Sequence, residues 1–105
     1  MRIDQWLWAI RVYRSRSLAA DAIRDGAVRA NGRTVKPAHE VAPGETIQAM
    51  VGPLQRTLIV RGVPPSRVGA ARVAEFATEL TTPEDHEHAA RERALPSVFN
   101  REKGH

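Results

Sequence analysis

A chain of 105 residues with 42% hydrophobic and 27% charged side chains has room for one small core, which excludes a two-domain enzyme built around a cleft. It has no cysteine, so disulfides, thiolate nucleophiles and Cys-based zinc sites are excluded together, and the cytoplasm is the expected compartment. The net charge of +4 is unevenly spread: residues 1 to 36 hold eight basic and three acidic side chains, residues 37 to 80 balance, and the remainder is slightly acidic.

Ile3, Trp6, Leu7 and Ile10 recur at the i, i+3, i+4, i+7 spacing of one apolar helical face, which predicts a first helix over about 3–12. Asp4, Trp8 and Arg11 project from other sides of that helix. Ser15 or Ser17 is placed to cap a second helix, whose Leu18, Ala19, Ala22 and Ile23 form the next apolar stripe and whose end is marked by Gly26. The two stripes predict a helix pair packed face to face.

Beyond Gly26 the period changes. Val28 and Ala30, Asn31-Gly32, then Thr34 and Val35 spell a hairpin, because Asn-Gly tolerates the positive φ of a type I′ turn. Pro37 and Pro43-Gly44 mark a loop, after which 46–51 and 56–63 read as two strands around Gly52-Pro53, for four short antiparallel strands in all. Pro64-Pro65 stops the sheet. The following Val68, Ala71, Ala74, Glu75, Phe76 and Leu80 predict an Ala-rich helix that buries Val68, Ala71, Phe76 and Leu80. Pro83 opens a further helical piece, and from about residue 96 the polar, aperiodic composition predicts an unstructured tail. The expected fold is α+β: a two-helix plus β-hairpin motif on a small antiparallel sheet, with a C-terminal helix.

The basic residues concentrate on the predicted motif. Arg11, Arg14 and Arg16 converge where the two helices meet, Arg2 begins the first helix, and Arg33 and Lys36 flank the second hairpin strand. A planar guanidinium grips two phosphate oxygens and stacks on a base, and the start of the second helix adds free backbone N–H groups. Segregated positive charge of this kind suits a phosphate-backbone partner. The plainer reading is a solvated face with surface ion pairs such as Asp21 with Arg24. Trp8 stands outside the core stripe, either stacked on a base or packed under the C-terminal helix.

Other chemistry is poorly supported. His86 and His88 lie among Glu84, Asp85 and Glu87, but residues two apart on a helix face different ways, so no metal site is expected. His39 lies near Lys36 in a loop, where it is either an RNA contact or simply exposed. No nucleophile elbow, glycine-rich nucleotide loop or carboxylate pair is present, so neither catalysis nor a cofactor is expected. No apolar run approaches the ~20 residues of a spanning helix, and the start does not read as a secretory signal, so no membrane partner is expected.

Residues 2–37 resemble the RNA-binding domain named for small-subunit ribosomal protein S-four, through Arg2, Asp4, Leu7, Ser15-Arg16, Ala19, Ile23, Gly26, Val28, Asn31-Gly32 and Lys36-Pro37. Trp6-Leu7-Trp8, followed by Arg11, Tyr13, Arg14 and Arg16, is similar to the stand-alone heat shock protein fifteen family, and the match continues more loosely through Gly44 and the R-T-L-I-V run at 56–60. The resemblance implies noncatalytic binding of structured ribosomal RNA, association with the large ribosomal subunit during rescue of stalled nascent chains, and contact with peptidyl-tRNA. It carries the RNA-facing role onto Arg2, Arg11, Arg14, Arg16 and Lys36, with Arg33 added by its nearness to Lys36, and makes Asp4 an internal partner of an arginine. Ile3 stands where the family more commonly has Leu, and the tail carries fewer cations than longer members do. The expected organisation is an RNA-binding domain at 1–63, a helical extension at 64–95 and the tail at 96–105, in a monomer. The competing readings are a targeting module for an RNA-modifying enzyme, or a DNA-binding helix-turn-helix protein, which the hairpin after the second helix disfavours.

Overall fold

Helix α1 (Ile3–Ala9) stops earlier than its apolar spacing predicts, and the chain's hydrogen bonds show how. The Val12 N–H reaches back to the Leu7 carbonyl (2.9 Å) and the Arg11 N–H to that of Trp8 (3.0 Å), with Arg11 left-handed at φ 68°. These are the paired bonds of a Schellman stop, which normally favours glycine. Helix α2 (Arg16–Arg24) ends in the same way: Ala27 N–H to Ala22 O (2.9 Å), Gly26 N–H to Ile23 O (3.1 Å), and Gly26 at φ 80°. Its start is capped by the Ser15 hydroxyl, which accepts from the Leu18 N–H (3.1 Å). The start of α1 has no side-chain cap; Ile3 and Asp4 instead donate to the carbonyls of His39 (2.7 Å) and Pro37 (3.4 Å), tying the loop after the hairpin to the helix.

The structure, a computed structural model, describes residues 1–94, so the tail anticipated at 96–105 lies outside the described residues. Strands β1 (Val28–Ala30), β2 (Arg33–Thr34), β3 (Thr46–Val51), β4 (Leu54–Val60) and β5 (Ala77–Glu79) form one antiparallel sheet in the order β2-β1-β3-β4-β5. The predicted hairpin forms, with Asn31 at φ 51° and Gly32 at φ 82°. The register Val51↔Leu54 leaves Gly52-Pro53 as a two-residue turn. One face of the sheet presents Val28, Ala30, Ile47, Ala49, Leu58 and Val60 to Trp6, Leu7 and Ile23 of the helices, and all are buried. Fully burying a side chain of this size contributes about 1.5–3 kcal/mol, so the helix pair is held chiefly by this face.

The Ala-rich helix expected after Pro65 is absent. Ala70–Glu75 form a 3-10 helix, and the chain then turns into β5. Pairing with the otherwise open edge of β4 overrides the local helical pattern: Phe76 O accepts from the Arg61 N–H (2.8 Å), and Ala77 lies beside Val60. Val68 is buried as expected and Phe76 half-buried, but Ala71 and Leu80 are exposed. Segment 64–94 thus supplies the fifth strand of the sheet as well as helix α3 (Pro83–Ala94). Thr82 and Asp85 cap that helix reciprocally, each side chain accepting the other's N–H (3.1 Å both), and α3 packs on β4 with Ala89 buried. No helix among the described residues is long and apolar enough to cross a membrane.

Candidate nucleic-acid interface

The structure distributes the predicted basic residues over both ends of α1 instead of gathering them at one corner. A seven-residue helix rises about 10 Å, enough to separate two sites. At its start, Asp4 is buried and its Oδ2 accepts from Arg2 (3.1 Å), as expected of an arginine partner. Its Oδ1 has no hydrogen-bond partner, and the nearest guanidinium, that of Arg16, lies 3.8 Å away. Arg2 and Arg16 are each about half exposed (46% and 48%), so both share one carboxylate while their outer edges remain in solvent. Lys36 enters from the loop that docks on the same end, through Pro37 and His39. His39 is engaged with Glu45 (2.8 Å).

At the other end Arg11, Arg14 and Arg67 line a groove of about 480 Å³ together with Tyr13 and Leu18. Arg11 reaches a backbone oxygen, Val68 O (3.4 Å), and Arg67 donates from Nε to Trp8 O (3.1 Å). Among the described residues neither of these cations, nor Arg14, is paired with a carboxylate. A guanidinium held by a carbonyl is oriented without losing its charge, which is what an anion site requires. Arg33 is exposed on edge strand β2, three residues before Lys36.

Trp8 is half-buried, and the Arg67 guanidinium lies over its ring, 5.5 Å from the centroid. Its cover is therefore the loop before the 3-10 helix, and not the C-terminal helix, which packs on β4. Arg67 is the residue that sequence reasoning missed. It lies between Pro64-Pro65 and the Ala-rich pattern that begins at Val68, and only the hydrogen bonds joining this part of the chain to α1 reveal it: Val68 N–H to Ala9 O (3.1 Å) and Trp6 Nε1 to Gly62 O (3.0 Å). Tyr13 is fixed by its hydroxyl, which donates to Met50 O (2.6 Å). Burial pushes its pKa up to about 12 against the opposing pull of Arg56, so the phenol is neutral under ordinary conditions.

The profile of the S4 domain family matches residues 1–47, the helix pair, the hairpin and the loop docked on α1. The structure of trimeric heat shock protein 15 from Vibrio cholerae superposes with a TM-score of 0.75 at 31% identity, covering 93% of this chain and 97% of that one. The chain belongs to the heat shock protein 15 family. Heat shock protein 15 of Escherichia coli K12 is 38% identical over 74 residues, 70% of this chain and 56% of that protein. The heat shock protein 15 homolog of Aeromonas salmonicida is 41% identical over 70 residues, 67% of this chain and 53% of that protein. The match thus spans little more than half the length of these curated relatives. The S4 domain is an RNA-binding domain, and residues 1–47 carry it here. The Vibrio cholerae protein is trimeric, in contrast to the monomer expected from this sequence.

Proposed function

We propose that the protein binds structured RNA noncatalytically through the basic ends of α1, that its target is ribosomal RNA of the large subunit, and that it acts in the cytoplasm in rescue or quality control of stalled nascent chains, with peptidyl-tRNA in reach. The observation that carries this reading is the pair of cation groups at the two ends of α1. Arg2 is hydrogen-bonded to the buried Asp4 carboxylate with Arg16 close by at 3.8 Å, and Arg11 and Arg14 line the groove with no carboxylate neutralising them among the described residues. A duplex of A-form geometry hides its major-groove edges, so recognition falls on phosphates, ribose and shape, for which oriented guanidiniums are suited.

The triple replacement Arg11→Ala, Arg14→Ala, Arg16→Ala tests it. RNA affinity is expected to fall by at least tenfold, and the slope of log K against log salt to flatten by about one per lost phosphate contact. Unfolding should shift by no more than about 1–2 kcal/mol, the part due to Arg16 leaving the buried Asp4, which keeps its bond from Arg2. In parallel, the wild-type protein should co-sediment with large subunits at low salt. Unchanged affinity in the triple variant would remove the interface, and sedimentation only at the top of the gradient would remove the ribosomal assignment.

A further inference from the structure

The groove at the end of α1 combines unlike side chains. Arg11, Arg14 and Arg67 line it together with the apolar Leu18 and Val51 and with Tyr13, and no carboxylate is among the lining residues. A continuous duplex backbone calls for the cations alone. Leu18 is nevertheless 49% exposed at the first turn of α2, an apolar side chain set beside three guanidiniums. The walls are fixed: Tyr13 is held by Met50 O, Arg67 by Trp8 O, and Arg11 by Val68 O. The groove, about 480 Å³, is open to solvent along one side.

Cations beside exposed apolar side chains suit an unpaired nucleotide, whose anionic linkage and flat base leave the helix together. We infer that this groove receives a single unpaired, outward-turned nucleotide of the bound RNA, its phosphate held by Arg11, Arg14 and Arg67 and its base laid against Leu18 and Val51. The inference rests on the RNA-binding reading above and specifies its substrate: a helical RNA interrupted by a bulge or junction. It also assigns Arg67, outside residues 1–47, a direct contact with RNA.

The test compares two fluorescein-labelled RNA hairpins of the same stem, one fully paired and one with a single unpaired adenosine, by anisotropy titration of the full chain at one salt concentration. The bulged hairpin is expected to bind about tenfold more tightly, the scale of one base stacking on protein. Leu18→Gln changes no charge and places Gln at the third helical position after the Ser15 cap, where a capping box favours it, so the helix persists. In this variant the affinity ratio of the two hairpins should fall towards one, and Arg67→Ala should weaken the bulged hairpin more than the paired one. Equal binding of both hairpins by the wild-type chain overturns the inference while leaving the RNA reading intact. A preference that survives Leu18→Gln overturns it too, by putting the unpaired base elsewhere. Failure to bind either hairpin at low salt overturns both.

Discussion

Arg11 and Gly26 fill the same left-handed place at the ends of α1 and α2, one with a long cation and the other with no side chain at all. The conformation costs a non-glycine residue about 1–2 kcal/mol, so backbone geometry alone would favour glycine at both. The strained backbone thus points to a role for the Arg11 guanidinium, which the following variant tests. Arg11→Gly should therefore leave stability unchanged or raise it by up to about 1 kcal/mol in a denaturant titration, the greater freedom of glycine in the unfolded chain offsetting part of the gain. The same variant should bind RNA less tightly, and an increase in affinity would show that position 11 is chosen for something other than its charge. The charge was legible in the sequence, whereas the strain was not, because no glycine or proline signals a stop after Ile10.

At the scale of elements, the helix pair, the hairpin and the β3–β4 ribbon were legible because each carries its own local signal: a cap at Ser15, a glycine stop at Gly26, Asn-Gly at 31–32 and alternation through β3. Strand β5 was not, since it is three residues long and is defined by a partner 17 to 21 positions earlier in the chain. Ala70–Glu75 lie too near that pairing to extend into a longer helix. Arg56 then clasps the new edge, donating to both carboxylate oxygens of Glu79 (2.6 and 3.2 Å). Burial raises the pKa of Glu79, but the hydrogen bonds from Arg56 and Thr81 outweigh it and leave the carboxyl below its usual range. For α2, Ser15→Ala should lower stability by about 1 kcal/mol, since the Leu18 N–H loses its acceptor. No loss of stability by urea unfolding would mean that solvent caps the helix equally well.

In the whole molecule, the basic first third and the later segment are joined side by side rather than strung in line. Trp6 is bonded to Gly62, Arg67 to Trp8 and Val68 to Ala9, and β5 closes the far side of the sheet. A chain ending at residue 63 loses the buried Val68, Ala77 and Ala89 and leaves β4 with an open edge. It should unfold at least 10 °C below the full chain by calorimetry, as a loss of a few kcal/mol in so small a domain implies. An unchanged melting temperature would make the 64–94 segment an appendage to a self-sufficient unit.

The two indoles on α1 have unequal surroundings, Trp6 fully buried and Trp8 half-buried beneath a cation that also borders the groove. A ligand that draws the Arg67 guanidinium off the indole should therefore change the emission of Trp8 while leaving that of Trp6 constant. RNA binding at the end of α1 should then be readable from tryptophan emission, without any attached dye.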